Sequence, residues 1–366
     1  MKAILLLAAG LVMAGRSGAA EAGPFRFGMV GLVHDHAGLF IGDTRHRRDV
    51  ELAGIVEPNH ELVARYEKAY GLKPALFFDT LAEMLDRTHV RAVAVCSSTF
   101  GHREIVEACA ARGVDVMMEK PLAVNMAHAR AIAAAARRSG IRVVVNYETS
   151  WYPTTQEARR LVGDERAIGE LRKIVVRDGH EGPKEIGASK EFLAWLTDPV
   201  LDGGGALMDF GCYGADLITW LMGGQRPVAV TAVTQTIKPE VYPKVDDEAT
   251  IVLSYPHAQG IIEASWNWPF GRKDMDVYGR TGYILAPNRS ELRVRRRDMA
   301  EAAAAAPVLT GARADPLTYF AAVARREIEP DGLSSLETNL IVTEILDAAR
   351  ESARTGRRVE LAAEAK

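Results

Sequence analysis

The chain has 366 residues, a formal charge of −3 at pH 7, 48% hydrophobic residues and 25% charged ones. That length predicts two domains rather than one core, and the near-neutral balance gives no electrostatic reason to expect a nucleic-acid partner. Three cysteines, Cys96, Cys109 and Cys212, exclude a disulfide framework and show no metal-binding spacing.

The first residues read as an export signal. Lys2 precedes an apolar run over 3–14, and Gly18, Ala19, Ala20 and Ala22 follow it. The run is too short to span a bilayer. The sequence therefore predicts a signal peptide over 1–22, a periplasmic or secreted mature chain and no membrane partner, with a buried N-terminal helix as the alternative. From 23 to 146, strands over 25–32, 50–56, 90–96, 114–118 and 142–145 alternate with helical patterns over 35–48, 61–70, 103–112 and 126–139. Strands alternating with helices mean βαβ units on a parallel sheet, so this part reads as a Rossmann-type dinucleotide domain. The remainder, 147–366, reads as a second domain. It holds a helix over 206–222 stopped by Gly223-Gly224, then strands over 227–236, 249–255, 260–268 and 275–279 with no helices between. That sheet is predicted to be mostly antiparallel. Residues 302–306 read as a loop or frayed helix, and 336–354 as a closing helix packed on the body through Leu336, Leu340, Ile341, Ile345 and Ala348. The fold class is α/β.

The turn after the first strand is where a dinucleotide fold keeps its phosphate loop. Of the usual G-x-G-x-x-G pattern only Gly31 survives, with Val33 and His36 at the other two glycine positions. Glu57 ends the second strand, where an acid can bind a ribose hydroxyl and would repel the extra phosphate of NADP; a helix-leading acid is the other reading. Ser97, Ser98, Thr99 and His102 follow the third strand, and Glu119 ends the fourth, at the carboxyl ends where ligands bind. Gly31, Val33, His34, His36, Glu57, Ser97, Ser98, Thr99, His102 and Glu119 are therefore the candidate cofactor residues. His34 and His36 serve either loop packing or ligand contact. Two histidines two apart, with no further His or Cys cluster, make a poor metal site, and no metal is expected.

Lys120, in Glu119-Lys120-Pro121, puts an ammonium at the end of an apolar strand. In Gly203-Gly-Gly205-Ala-Leu-Met-Asp209-Phe-Gly-Cys-Tyr213, a carboxylate and a phenol stand four residues apart on one helix face. These three groups can move a proton to or from an alcohol. Tyrosine titrates near 10, and an adjacent Lys120 is expected to lower Tyr213 by about 1–3 units and make it a usable base. Trp151 and Tyr152, at the passage between domains, and His180, in a turn, are candidate substrate contacts. Trp266 and Trp268 read as two indoles on one strand face, fit for core, interface or sugar stacking.

The Glu119-Lys120-Pro121 element, the Gly203-Gly-Gly205…Asp209…Tyr213 element, Thr99-x-x-His102 and Asp246-Asp247-Glu248 together resemble the Gfo/Idh/MocA family of oxidoreductases. The resemblance implies a Rossmann domain followed by an α/β domain on an open antiparallel sheet whose outer face forms a homo-oligomer. It implies a nicotinamide cofactor, NAD before NADP, and a sugar or cyclic polyol as substrate. Lys120 falls on the family's catalytic lysine and Asp209 on its substrate-binding aspartate. Tyr213, where many members carry His, is similar to the glucose–fructose oxidoreductase and dihydrodiol dehydrogenase branches, the first of which holds its nicotinamide tightly. Two alternatives stay open: glycoside cleavage or lyase chemistry through transient oxidation, and a non-catalytic sugar or nucleotide sensor.

Overall fold

The computed structural model describes residues 23–362; the signal expected over 1–22 lies outside them. Among the described residues, no helix is long and apolar enough to cross a membrane.

The first unit alternates strands and helices, with β3 and α3 added where the sequence reading placed no element: β1 (Phe25–Val30), α1 (His36–Thr44), β2 (Val50–Val56), α2 (His60–Tyr70), β3 (Phe77–Phe78), α3 (Leu81–Thr88), β4 (Ala92–Val95), α4 (His102–Ala110), β5 (Asp115–Glu119), α5 (Met126–Ser139) and β6 (Val143–Asn146). Its strands form a wholly parallel sheet in the order β3-β2-β1-β4-β5-β6. Chain order reverses between β1 and β4, and the carboxyl ends on either side of that point are where such folds bind ligands. β4 and β5 are buried at every residue, as strands covered on both faces must be. Asn59 accepts from the Glu61 and Leu62 amides to start α2, and Gly71 ends that helix in the left-handed region.

The second unit opens with α6 (Pro153–Gly163), β7 (Leu171–Gly179), α7 (Lys190–Leu196), α8 (Ala206–Asp209) and α9 (Gly211–Leu221). Then come β8 (Ala229–Gln235), β9 (Glu248–Ser254), β10 (Gln259–Ser265), β11 (Arg272–Gly279), β12 (Gly282–Ala286), β13 (Leu292–Arg296) and β14 (Ala302–Ala304). It closes with α10 (Pro316–Ala324), α11 (Leu336–Thr355) and β15 (Val359–Glu360). The sheet order is β14-β13-β12-β11-β7-β10-β9-β8-β15. Every neighbouring pair is antiparallel except β7 and β10.

Three sequence expectations change. The helix expected over 206–222 is broken at Phe210. There the Asp209 carbonyl is taken by Lys120 Nζ at 2.9 Å and by the Cys212 thiol, so the Tyr213 amide donates to Phe210 instead. Residues 302–304 are a strand, because β13 offers a free edge that pairs with them. Strand β7, central to the sheet, was read only as a turn at its end. α11 lies where expected, though its buried side also runs through Val342 and Leu346, leaving Leu340 and Ile341 half-buried.

Candidate active site

Lys120 leaves β5 and points across to the α8–α9 break. Its Nζ forms an ion pair with the near Asp209 carboxylate oxygen, and both residues are buried at 6% exposure. The other Asp209 oxygen accepts from Trp266 Nε1 at 3.0 Å. Burial alone would lower the Lys120 pKa and raise that of Asp209. Each charge overrides this for its partner, holding Lys120 above and Asp209 below its ordinary value. The pair is thus ionised across the neutral range.

The glycines before α8 are what let this happen. A Cβ on Gly205 would stand 1.9 Å from the Asp246 carbonyl oxygen. The same Asp246 accepts from the Gly205 and Leu207 amides with its carboxylate, at 3.2 and 2.7 Å, and so anchors the turn that presents Asp209. Trp266, expected on a strand face beside Trp268, lies beyond the end of β10, fully buried, with its indole turned to Asp209.

Tyr213 is also buried. Its ring lies 5.2 Å from Lys120 Nζ and 4.2 Å from Lys273 Nζ, with Tyr147 edge-on at 5.3 Å. The expected lowering of its pKa is overturned. Burial comes first and carboxylates such as Glu148 add to it, so the phenol is held well above its ordinary value. Lys120 cannot reverse this, because its charge is already committed to Asp209.

Lys273 was missed by the sequence reading, since one Lys on an alternating strand looks like any solvent-facing residue. It pairs with Glu148 at 2.5 Å and lines a cavity of about 750 Å³ together with Tyr152, His180, Phe210 and Arg289. Tyr152 and His180, two of the four expected substrate contacts, thus meet here. Tyr152 donates to Glu148 at 2.5 Å and carries Arg289 over its ring at 5.5 Å. His180 accepts from the Gly182 amide on Nδ1, and its pKa is lowered by burial, so the neutral ring carries its proton on Nε2. Trp151 is elsewhere. It donates to Asn146 at 2.8 Å and lines a second cavity, of about 320 Å³, with His36, Glu119, Asn146 and Phe40.

The loop after β1 has a tight core. Gly31 has φ +86°, and a Cβ there would meet the Cys96 carbonyl oxygen at 2.9 Å. Glu57 accepts from the Leu32 and Asn59 amides at 2.9 Å each, so it secures the loop while each oxygen keeps a further lone pair. His34 is buried between Phe192, Trp195 and His36; burial and the neighbouring His36 hold its pKa well below the ordinary value. Its Nδ1 accepts from the His36 amide at 3.1 Å, while Nε2 is buried without a partner. His36 Nδ1 meets Glu119 at 3.0 Å, and Asn146 donates to the other Glu119 oxygen at 2.8 Å. Burial would raise the Glu119 pKa, but the His36 and His34 imidazoles and the Asn146 bond bring it down to about 2.

Helix α7 clasps this loop from the second unit. Trp195 donates to the Val33 carbonyl, the Ser189 amide to Asp35, and Arg65 pairs with Glu191 at 2.6 Å. Ser97 and Ser98 stay half-buried at the crevice, with Ser97 Oγ donating to the Ser98 carbonyl. Thr99 and His102 are fully enclosed and put to internal use. Thr99 bonds Asp202 ahead of the glycine run, and His102 bonds the Leu122 carbonyl behind Lys120. Burial lowers His102 to about 4, so it is neutral there.

Comparison with known proteins agrees with this architecture. Residues 25–147 match the oxidoreductase family with an NAD-binding Rossmann fold, and residues 155–285 match the GFO/IDH/MocA C-terminal domain. The chain is 31% identical over 244 residues to trans-1,2-dihydrobenzene-1,2-diol dehydrogenase of Xenopus tropicalis, a match spanning 66% of this chain and 65% of that relative. It is 25% identical over 334 residues to D-apiose dehydrogenase of Paraburkholderia graminis, spanning 86% of this chain and 84% of that one. The crystal structure of aldose-aldose oxidoreductase from Caulobacter crescentus superposes with a TM-score of 0.79 at 26% identity, over 92% of this chain and all of that one. The chain belongs to the Gfo/Idh/MocA family of oxidoreductases.

Proposed function

We propose that the protein is an NAD-dependent oxidoreductase of a sugar or cyclic polyol, with Lys120, Asp209 and Tyr213 at its reacting centre. The observation that carries this reading is the buried Lys120–Asp209 pair beside the Tyr213 ring, at the carboxyl end of a Rossmann strand. The residues around the 320 Å³ cavity fit the nicotinamide half of a dinucleotide, with an indole face in Trp151 and an acceptor in Glu119. Glu57, with its spare lone pairs, would hold a ribose hydroxyl. When bound, NAD exchanges a hydride with the substrate carbon.

The protein's own part is the proton. Tyr213 rests as a phenol, so it is poised to protonate the oxygen of a carbonyl substrate in reduction and to recover that proton in oxidation. The ammonium groups of Lys120 and Lys273 over its ring stabilise the phenolate that forms. Asp209 keeps Lys120 charged and in place, while Tyr152 and the His180 N–H orient substrate hydroxyls from the larger cavity. Tyr213→Phe should lower turnover by about 10²–10⁴-fold and leave cofactor binding intact; unchanged turnover refutes the assignment. Protein that neither retains nor binds NAD or NADP would refute the enzymatic reading altogether.

A second reading, transient oxidation of a glycoside with retained NAD, draws support from the α7 clasp over the phosphate loop. Glycoside cleavage without net NADH release distinguishes it. We also propose export by the N-terminal signal, tested by N-terminal sequencing of periplasmic protein. Self-association through the open face of the nine-stranded sheet is proposed too, where Val233 and Tyr278 are exposed. A monomeric mass by light scattering would refute it.

A further inference from the structure

We infer that the substrate carries an anionic group, a carboxylate or a phosphate, and that Arg289 holds it. Calling that ligand a substrate rests on the functional reading above; the anion site rests on the walls of the 750 Å³ cavity.

Five cationic side chains line this cavity with two acids, Asp274 and Asp276. Four of the five cations are already matched. Arg177 meets Asp274 and Asp276 at 3.0 Å each, and Arg272 meets Asp274. Lys273 meets Glu148 at 2.5 Å, and Arg293 meets Glu301 at 3.1 Å. Arg289 has no carboxylate within 4.0 Å among the described residues, and its guanidinium lies over the Tyr152 ring at 5.5 Å.

Arg289 stands in the turn between β12 and β13, and that turn is fixed. Asn288 accepts from the Ser290 and Glu291 amides at 2.8 and 2.9 Å, and Thr154 of α6 donates to the Asn288 carbonyl at 2.9 Å. Stacking on Tyr152 orders the guanidinium further, because a planar cation lies favourably over an aromatic face. The wall is also rich in donors: the His180 N–H, and the Lys273 hydrogens that Glu148 does not take. Glu148 presents little free charge to an anion, since Lys273 takes one of its oxygens and Tyr152 the other. Many donors and one uncommitted cation fit an acceptor-rich anion better than a neutral hydroxyl compound. The guanidinium fork matches a carboxylate or phosphate edge with two parallel bonds. Contacts pass from Arg289 through Tyr152, Glu148 and Lys273 to the Tyr213 ring. The anion and the reacting hydroxyl are therefore read at opposite ends of one row of side chains.

Titration calorimetry of the full-length protein, with and without NAD, compares D-glucose, D-glucuronate and D-glucose 6-phosphate. At least one of the two anions should bind at least about tenfold more tightly than glucose. The tighter of the two tells carboxylate from phosphate. Arg289→Gln, its folding checked by circular dichroism, should remove the advantage. Arg295→Gln, an exposed arginine of β13 outside the cavity, should keep it. Glucose binding as tightly as both anions, an advantage that survives Arg289→Gln, or no saturable binding of either anion overturns the site. Arg289-dependent anion binding by protein that takes up no NAD refutes the functional reading while the site stands; NAD-linked turnover without anion preference does the reverse.

Discussion

Replacing Asp209 with Asn removes the carboxylate that faces Lys120 and leaves the ammonium buried without a counter-charge. At 6% exposure on both sides, Lys120 has no water to turn to. Breaking a buried pair from one side costs about 3–5 kcal/mol. Asn offers a single acceptor oxygen, so either Lys120 or the Trp266 N–H is left facing the amide NH2, and a loss within that range is expected. Urea unfolding at unchanged slope reads this directly. The paired variant Lys120→Met with Asp209→Leu should recover most of the loss, because it buries no charge, and the cycle gives the coupling.

The pH dependence has two edges. Asp209 is depressed from an ordinary 3.8, so its contribution is present above that value and is lost as pH falls through the folded pKa. Lys120 is raised from 10.5, so its contribution is full below that value and is lost as pH rises through the folded pKa. The stability gap between wild type and Asp209→Asn should therefore be flat from about pH 5 to 9 and shrink on either side. A single-variant loss under about 1 kcal/mol, with no recovery in the double variant, refutes the account of a buried, mutually stabilised pair.

Gly205→Ala should destabilise by at least about 1–3 kcal/mol and lower turnover, since its Cβ would strike the Asp246 carbonyl; thermal melting and steady-state rates check both. Glu57→Ala strips acceptors from the buried Leu32 amide and from Asn59. The expected stability loss is about 1–3 kcal/mol, with weaker NAD binding by fluorescence titration. Lys273→Met removes the cation over Tyr213 and should lower kcat more than it raises KM, measured by initial rates.

Apolar runs were enough to read five of the six strands of the first sheet, because strands enclosed on both faces show as unbroken runs such as 92–95, while the two-residue β3 is too short to show one. It also isolated Lys120, Asp209 and Tyr213, whose chemistry stands out against apolar neighbours. Strand β7 escaped because Arg172, Lys173 and Arg177 interrupt its apolar pattern. The placements of Lys273, Trp266 and Glu119 escaped for another reason: each acts through a partner tens of residues distant, and spacing carries no record of such contacts. Tyr213 shows the limit of pairwise electrostatics. A lysine nearby suggested an acidic phenol, but enclosure and the Asp209 pairing outweigh it.

Helix α10 lays Leu317 and Phe320 against Phe25, Phe27 and Met29 of β1, with the Phe25 and Phe320 rings 5.6 Å apart. Residues made long after β1 therefore finish the hydrophobic interior of its sheet. A ribosome-bound chain ending at 146 would keep those aromatic side chains wet, each worth about 1.5–3 kcal/mol when buried. The order of translation and the order of folding thus part company, and a fragment carrying only the first sheet should behave as a collapsed, aggregation-prone intermediate rather than an independent unit.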